Sequence, residues 1–309
     1  MDGRGFGASA LLLGALAGCA APSDDDGAVD GAPVATGVTA VAAAVAAADA
    51  DWIPLFDGRG LGGWTIKFRG RPLGENLHDT FRVEDGLLKV RYDRWDGFDG
   101  EFGHLFYHRP FSHYVIRAEY RFVGEQVAGA GPEYAWAVRN NGLMLHAQSP
   151  ESMGVDQDFP VSIEVQLLGG LGAGPRPTAN LCTPGTNVVI GDSLHTPHCT
   201  ESASRTYDGD GWVRVEVLVL GDSVLTHVVE GDTVLTYRRP QMGGGAVSGL
   251  RAGVMRPGAP LREGHVALQA ETAPIDFRRV ELLNLKGCMD STAASYRRHF
   301  VEPDPAACR

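Results

Sequence analysis

The sequence lacks a cluster of basic residues, and this absence bears on its partners. The 309 residues carry a net charge of −11 at pH 7, with 27 Lys and Arg against 38 Asp and Glu. Six of the acidic residues are Asp side chains between Cys19 and Asp51, a stretch without any Lys or Arg. A protein that binds nucleic acid needs a dense basic surface to replace the counterions of the phosphates. The composition therefore argues against a nucleic-acid partner.

Helical periodicity is scarce as well. From Trp52 to Leu285 no window of a dozen residues repeats its apolar positions with a period of 3.6. Short alternating runs, separated by Gly, Pro, Asp and Asn, occupy this range instead. Glu84-Asp85-Gly86 and Glu230-Gly231-Asp232 each separate two such runs and predict hairpin turns. The pattern predicts an all-β sandwich of two sheets and argues against an α/β fold.

Paired cysteine motifs are missing too, since none of the five cysteines belongs to a C-x-x-C pair. Local pairing closes the shortest loops and suits an oxidising compartment, so we expect two disulfides. The alternative is a zinc site that uses His195 and His198 beside Cys199. The cysteines expected to pair are Cys182 with Cys199 and Cys288 with Cys308.

The N-terminal apolar run Leu11 to Gly18 is too short to span a bilayer and is followed by Cys19. It resembles the lipobox of bacterial lipoproteins. That resemblance implies a signal peptide over residues 1–18, cleavage before Cys19, and a lipid anchor on this cysteine. Ala20 would then favour the outer membrane, with the protein on its periplasmic or surface side and only the anchor in the membrane. The alternative is a plain secretory signal. Residues 19–50, rich in Ala, Gly and Asp, are predicted to form a tether.

Two polar runs supply the candidate site. Val161, Ile163, Val165 and Leu167 alternate with Ser162, Glu164 and Gln166, so a strand would place the latter three on one face. The run from Arg139 to His146 predicts a neighbouring strand that brings His146 to this face, with Arg139, Asn140 and Asn141 at its mouth. Such residues can bind sugars, hold a metal or move protons.

We expect Glu164 to act as general base, and Glu164 with His146 to ligate any divalent metal ion. Arg139 would hold a sugar hydroxyl, and Asn140, Asn141 and Gln166 would bind further hydroxyl groups. Structural roles are the alternative: an exposed Glu paired with Arg, a hydrogen-bonded His, an Arg that supports a loop, and a turn at Asn141. The same polar face could extend to His104, Gln269 and Glu271. A sugar ring could stack on Trp64, Trp136 or Trp212, and the alternative is that these tryptophans belong to the core.

The ordered motifs of residues 52–285 resemble one known family, the 3-keto-disaccharide hydrolase domain. The motifs are Leu55-Phe56-Asp57-Gly58, Gly63-Trp64, Val83-Glu84-Asp85-Gly86, Asn140-Asn141-Gly142, Ile163-Glu164-Val165-Gln166, Gly211-Trp212 and Phe277-Arg278-Arg279-Val280. The resemblance implies a concanavalin-like jelly-roll sandwich over residues 51–285. Residues 286–309 resemble a small cysteine-bounded tail of bacterial surface proteins, to which we assign a structural role.

The resemblance also implies cleavage of a glycoside whose sugar a partner oxidoreductase has oxidised at carbon 3. The ketone acidifies the proton on carbon 2, so that one base and one oxyanion stabiliser suffice for elimination, and Arg139 would be the residue that holds the enolate. Water then adds to the unsaturated sugar. Two other functions stay open. One is a non-catalytic, lectin-like carbohydrate-binding module, and the other is a structural surface lipoprotein with protein partners.

Overall fold

A computed structural model describes residues 51–309. The predicted signal peptide, the predicted lipidation site Cys19 and the predicted tether lie outside the described residues. Strands of the larger sheet are β1 (Ile53–Pro54), β3 (Phe81–Glu84), β4 (Leu87–Val90), β6 (His113–Phe122), β10 (Thr186–Ile190), β11 (Ser193–His195), β13 (Val213–Leu220), β14 (Val224–Val229), β15 (Asp232–Met242) and β17 (Ile275–Asn284). Strands of the smaller sheet are β2 (Trp64–Phe68), β5 (Gly103–Tyr107), β7 (Asn140–Ala147), β8 (Ile163–Leu168), β9 (Asn180–Cys182), β12 (Cys199–Thr200) and β16 (His265–Ala270).

Both sheets are antiparallel, and the predicted all-β, concanavalin-like sandwich is confirmed. The order in the larger sheet is β11-β10-β15-β14-β13-β6-β17-β4-β3, with β1 beside β17. The smaller sheet has the order β12-β9-β8-β7-β16-β5-β2. The chain passes repeatedly from one sheet to the other, so that strands distant in sequence become neighbours.

The core lies between the two sheets and follows the alternation read from the sequence. In β6, Tyr114, Ile116 and Tyr120 are buried, while Arg117 and Arg121 lie on the outer face. Burial of one face per strand supplies the main driving force for this architecture. The outer charges pair across strands, as in the bond from Arg117 to Glu216 at 2.6 Å.

Both predicted hairpins are present as two-residue connections. Asp85 and Gly86 join β3 to β4 with φ values of 55° and 73°, and Glu230 and Gly231 join β14 to β15 with 51° and 96°. Two successive positive φ values give the turn that matches the twist of a hairpin, and Gly adopts the second one without strain.

The segment from Leu168 to Gly211, rich in Gly, Pro and Thr, has no alternating apolar run in its sequence, yet it is not one long loop. It contains four short strands, of which β9 and β12 extend the smaller sheet and β10 and β11 extend the larger one. These strands have two to five residues, too few to show alternation. The predicted disulfides Cys182–Cys199 and Cys288–Cys308 are both formed.

The tail is a small unit against the last long strand. β18 (Lys286–Gly287) pairs in parallel with β19 (Glu302–Pro303), and the second disulfide closes the segment. Arg297 contacts Asp51 at 3.3 Å. These contacts join the tail to the start of the described chain, and its structural role stays a prediction.

Candidate active site

The candidate site lies on the outer face of the smaller sheet. Glu164 and Gln166, two residues apart on β8, share this face. The strand register places Met144 opposite Glu164 and Gly142 opposite Gln166 on β7. On the other side of β8, Cys182 pairs with Glu164 and Asn180 pairs with Gln166. Gln166 Oε1 accepts a hydrogen bond from Asn180 Nδ2 at 3.1 Å. This bond leaves the amide nitrogen of Gln166 as the free donor.

Gly142 gives the Glu164 side chain its place. A Cβ atom on Gly142 would lie 2.7 Å from Glu164 Oε1 and 2.9 Å from its Cγ. The carboxyl group therefore leans from β8 across the bare backbone of β7, towards β16. A side chain at position 142 would occupy this space.

A cavity of about 580 Å³ opens above Glu164. Its floor includes Glu164, Gln166 and Glu271, the last of which follows directly after β16. Trp136 and Phe159 stand on one side, and the Cys182–Cys199 disulfide forms part of the wall. The remaining lining residues are Asp158, Pro184, His198, Ala246, Val247 and Ser248. The volume is in the range that small-molecule ligands occupy, about 300–1,000 Å³.

Glu164 and Glu271 form a buried, interacting pair of carboxyl groups. Burial raises the pKa of Glu164 to about 8. The pKa of Glu271 is raised well above its usual range, first by burial and then by the negative charge of Glu164. Glu271 Oε2 has no hydrogen-bond partner within residues 51–309. The pair therefore keeps a proton at neutral pH, and a carboxylate formed there is a stronger base than an exposed one.

His104 and Gln269 continue the polar row beneath the same face. His104 pairs with Gln269 across β5 and β16, and with Lys67 across β5 and β2. Burial lowers the pKa of His104 to about 3, with a smaller effect from the charge of Lys67, so that its imidazole is neutral. Among the described residues, no hydrogen-bond partner is found for either ring nitrogen of His104 or for the side-chain amide nitrogen and oxygen of Gln269. Phe159 covers His104, with ring centroids 5.7 Å apart.

His146 does not join Glu164, and the predicted pair of metal ligands is wrong. A bulge near the end of β7, where His146 has a φ of +48°, breaks the alternation. His146 turns towards the sandwich interior, where its Nε2 lies 3.1 Å from the carbonyl oxygen of Gly221 and its ring packs on Tyr114. One extra residue in a strand reverses the face of the next side chain. Burial lowers the pKa of His146 to about 4.

Arg139 supports a loop instead of lining the cavity. Its guanidinium binds the carbonyl oxygen of Gly209 and contacts Asp210 at 3.5 Å, and it stacks on Phe122. Its own carbonyl accepts from the Gly169 N–H at 2.9 Å. The expected contact with an enolate or a sugar is therefore not available to Arg139, and the structural alternative describes its position.

The two asparagines have different positions. Asn141 points into the core, on the face opposite Glu164, and donates to the carbonyl oxygen of Gln269 at 2.6 Å. Its expected place at the groove mouth is wrong because β7 alternates its faces. Asn140 faces the cavity side and donates to the carbonyl oxygen of Trp136 at 3.5 Å. It holds the turn that carries Trp136.

The zinc alternative loses its thiolate ligands because Cys182 and Cys199 are bonded to each other. His195 contacts the hydroxyl of Thr200 at 2.6 Å. Burial lowers the pKa of His198, which lines the cavity as a neutral ring at pH 7.

The three tryptophans considered as sugar platforms also differ. Trp64 donates to the carbonyl oxygen of Leu55 at 2.9 Å and packs on Tyr107. Trp212 lies on the other sheet between Arg121 and Arg278, each 4.7 Å from its ring centre. Trp136 is 50% exposed and borders the cavity.

The sequence analysis did not predict the contact between Asp158 and Ser248, two residues that line the cavity. The Asp158 carboxylate accepts from the hydroxyl of Ser248 at 2.7 Å and from its N–H at 2.8 Å. This contact joins two irregular segments that show no periodic pattern, so nothing local predicted it.

Within the part of the chain that is described, no helix has the length and apolarity needed to cross a bilayer.

Comparisons with solved structures give distant similarities. A Parabacteroides distasonis protein provisionally named a glycosyl hydrolase is 13% identical, covers 76% of this chain and 99% of its own, and has a TM-score of 0.45. The carbohydrate-binding module CBM66 of Bacillus subtilis is 11% identical, with 72% and 96% covered and a TM-score of 0.39. LamAcat of Zobellia galactanivorans is 8% identical, with 71% and 91% covered and a TM-score of 0.40.

No curated protein matches the sequence. A family model does match, over residues 51–283, and its description is the 3-keto-alpha-glucoside-1,2-lyase-like domain. This range contains both sheets and every residue placed in the cavity. Family membership relates the chain to carbohydrate chemistry, as the resemblance read from its motifs implied. Since the match covers most of the 309 residues, this chain belongs to the 3-keto-alpha-glucoside-1,2-lyase-like family.

Proposed function

We propose that this protein cleaves glycosides of 3-keto sugars by proton abstraction and elimination. The observation that carries the proposal is the buried pair Glu164 and Glu271 at the floor of the cavity. Family membership supports the same substrate class. The pair supplies a base and an acid in one site, which is what an elimination followed by hydration requires.

In the proposed reaction, ionised Glu164 removes the proton from carbon 2 of the 3-keto sugar. The amide nitrogen of Gln166 donates to the ketone oxygen as negative charge develops there. The bond between carbon 1 and the glycosidic oxygen then breaks, and protonated Glu271 gives its proton to the leaving oxygen. Water adds across the new double bond, so that the net change is hydrolysis. We assign the role of proton donor to Glu271 because burial and the charge of Glu164 both raise its pKa and keep it protonated.

The ketone must come from oxidation of a secondary alcohol, so the proposal includes a partner sugar oxidoreductase. It also includes the lipid anchor on Cys19, which would hold the enzyme at the bacterial cell envelope, on the outer membrane. Glu164 and Glu271 are oxygen ligands of the kind that divalent cations accept. Adding EDTA to the assay below tests this, since loss of turnover with EDTA and its return with added metal would show that a metal takes part.

The experiment is release of a chromogenic leaving group from p-nitrophenyl 3-keto-glucosides of both anomers. We expect turnover by the wild type and a loss of at least about 100-fold in Glu164→Gln and in Glu271→Gln, since each removes a proton-transfer group worth roughly 10²–10⁴-fold. Glu151 is exposed and is not among the residues that line the cavity, so Glu151→Gln is the matched control. A substrate deuterated at carbon 2 should react more slowly if abstraction limits the rate.

The unoxidised p-nitrophenyl glucosides separate elimination from ordinary hydrolysis. Cleavage of these compounds at a similar rate would replace the proposal with a conventional glycosidase, in which two carboxyl groups act directly on the glycosidic bond. No release from any substrate would contradict catalysis.

The second candidate is a non-catalytic carbohydrate-binding module, and the exposed Trp136 beside the cavity favours it. A module of this kind would bind sugars saturably without turnover. Its affinity would change little in Glu164→Gln.

A further inference from the structure

Trp136 is unusual among the exposed side chains of this protein. Within residues 51–309, seven large apolar side chains are exposed, and Trp136, at 50%, is the one aromatic among them. It lies at the rim of the cavity that holds Glu164 and Glu271. An exposed indole at a cavity rim presents a flat apolar face to whatever enters.

The indole stands on a fixed support. The 3₁₀ turn Pro132–Ala137 carries it, and Phe102 packs on its ring at 6.3 Å. Asn140 holds the carbonyl oxygen of Trp136, and the Thr272 hydroxyl donates to the carbonyl oxygen of Ala137 at 2.9 Å. Because Thr272 follows Glu271 directly, the bond from its hydroxyl holds the backbone that carries Trp136 beside the backbone that carries the proposed acid.

The charges around the cavity have one sign. Asp158, Glu164 and Glu271 contribute carboxyl groups, and none of the lining residues that the described chain supplies is Lys or Arg. His198 is neutral at pH 7 because burial lowers its pKa. An anionic group in this cavity would lose its hydration without a cation to pair with, and the Asp158 carboxylate would repel it.

We propose that Trp136 forms the subsite for the leaving group of the glycoside, that this group is a neutral ring stacked on the indole, and that the cavity rejects leaving groups with a negative charge. The inference rests on the proposed function for the position of the cleaved bond next to Glu271. One face of a pyranose carries C–H groups, which pack well on the electron-rich face of an indole. The substrate class is therefore a neutral disaccharide or a glycoside of a flat neutral alcohol.

Binding is measured by calorimetry on the full chain, in the Glu164→Gln background so that ligands persist. The neutral two-ring ligands are 3-keto-maltose and 3-keto-cellobiose, and the one-ring ligands are the methyl 3-keto-glucosides of both anomers. Charge is tested with 4-carboxyphenyl 3-keto-glucoside against its methyl ester, which has a similar size. The protein variants are Trp136→Ala, Trp136→Phe and, as a control at another exposed apolar residue, Leu194→Ala.

We expect Trp136→Ala to weaken the preferred two-ring ligand about tenfold, equivalent to about 1.4 kcal/mol. The one-ring ligand should change less than about twofold, Trp136→Phe should recover most of the loss, and Leu194→Ala should match the parent protein. The carboxyphenyl glycoside should bind at least about tenfold more weakly than its ester.

Equal losses for one-ring and two-ring ligands in Trp136→Ala, or no loss for either, would overturn the subsite. Equal binding of the acid and the ester would overturn the rejection of anions. A different result would contradict the proposed function alone. If the wild-type protein shows this binding pattern but releases no leaving group, Trp136 is a sugar subsite of a binding module and not of an enzyme. If the wild type turns over and Trp136→Ala binds the two-ring ligands as tightly as its parent, the proposed enzyme activity is supported and the Trp136 subsite is contradicted.

Discussion

Gly142→Ala tests the geometry of the proposed base with the smallest possible change. The new Cβ would lie 2.7 Å from Glu164 Oε1, 2.9 Å from Cγ and 3.1 Å from Cδ, whereas ordinary contacts begin at 3.4 Å. The carboxyl group must therefore move by about 0.7 Å or more to clear the methyl group. Nothing but this side chain opposes the methyl group among its nearest neighbours, so the side chain moves and the strand does not.

The expected effect falls on the rate. A misplacement of about 1 Å in a catalytic group can cost on the order of 100-fold, so we expect kcat to fall by roughly 30- to 100-fold. Stability should change little. Replacing Gly by Ala in a strand gains about 0.4–1 kcal/mol through the unfolded chain, and this gain offsets part of the cost of moving the carboxyl group.

The assay is release of p-nitrophenol from the 3-keto-glucoside, together with calorimetric Tm. For a change within about 1 kcal/mol, Tm should stay within about 4 °C of the wild type. Gly211→Ala is the matched control, because a Cβ there meets nothing within 4 Å. It should keep full activity.

A Gly142→Ala protein with at least a third of the wild-type kcat would refute the position assigned to Glu164. A large loss of stability would refute a different step, namely the inference that the side chain yields more easily than the strand.

Three further predictions concern stability. Folding raises the pKa of Glu164 to about 8 from its ordinary value of 4.5, so the folded state holds more protons than the unfolded state between these pH values. The free energy of unfolding must therefore fall as pH rises through this window. At about 1.4 kcal/mol per pKa unit, the upper limit of this loss of stability is about 5 kcal/mol. Urea unfolding at pH 5 and pH 8 should show a smaller fall in the free energy of unfolding for Glu164→Gln than for the wild type. An equal fall in the two proteins would argue against the burial penalty on Glu164. Replacing Cys182 and Cys199 together by Ala should cost about 3 kcal/mol in urea unfolding, given their separation of 17 residues, and an unchanged midpoint would contradict it. His146→Phe should lose about 1–3 kcal/mol, since the bond to Gly221 disappears, while kcat stays within about twofold; a rate loss like that of Glu164→Gln would return His146 to the catalytic site.

The fold was largely predictable because its signals are local. Alternation in β6 and β13 fixed which side chains are buried, and the two-residue turns at Asp85-Gly86 and Glu230-Gly231 fixed two hairpins. The short strands β9 to β12 escaped prediction because two to five residues carry no period. Their pairing depends on the neighbouring strands and on the Cys182–Cys199 bond.

The candidate site was predictable only in part. The face of Glu164 and Gln166 followed from a period of two. His146 was misplaced because a bulge is a tertiary adjustment, here at a residue with positive φ packed against Gly264 and Gly221. The partnership of Glu164 with Glu271 had no local sign, since β16 reaches β7 from far along the sequence.

The sequence by itself determined the longer strands, their buried faces, the local disulfide pairs and the family, because each depends on neighbours along the chain or on ordered motifs. The tertiary structure alone decided what surrounds Glu164: the bare backbone of Gly142, the second carboxyl group of Glu271, and the rim that carries Trp136. The chemistry depends on these surroundings, because a carboxyl group becomes a strong base only when folding removes it from water and sets another acid beside it.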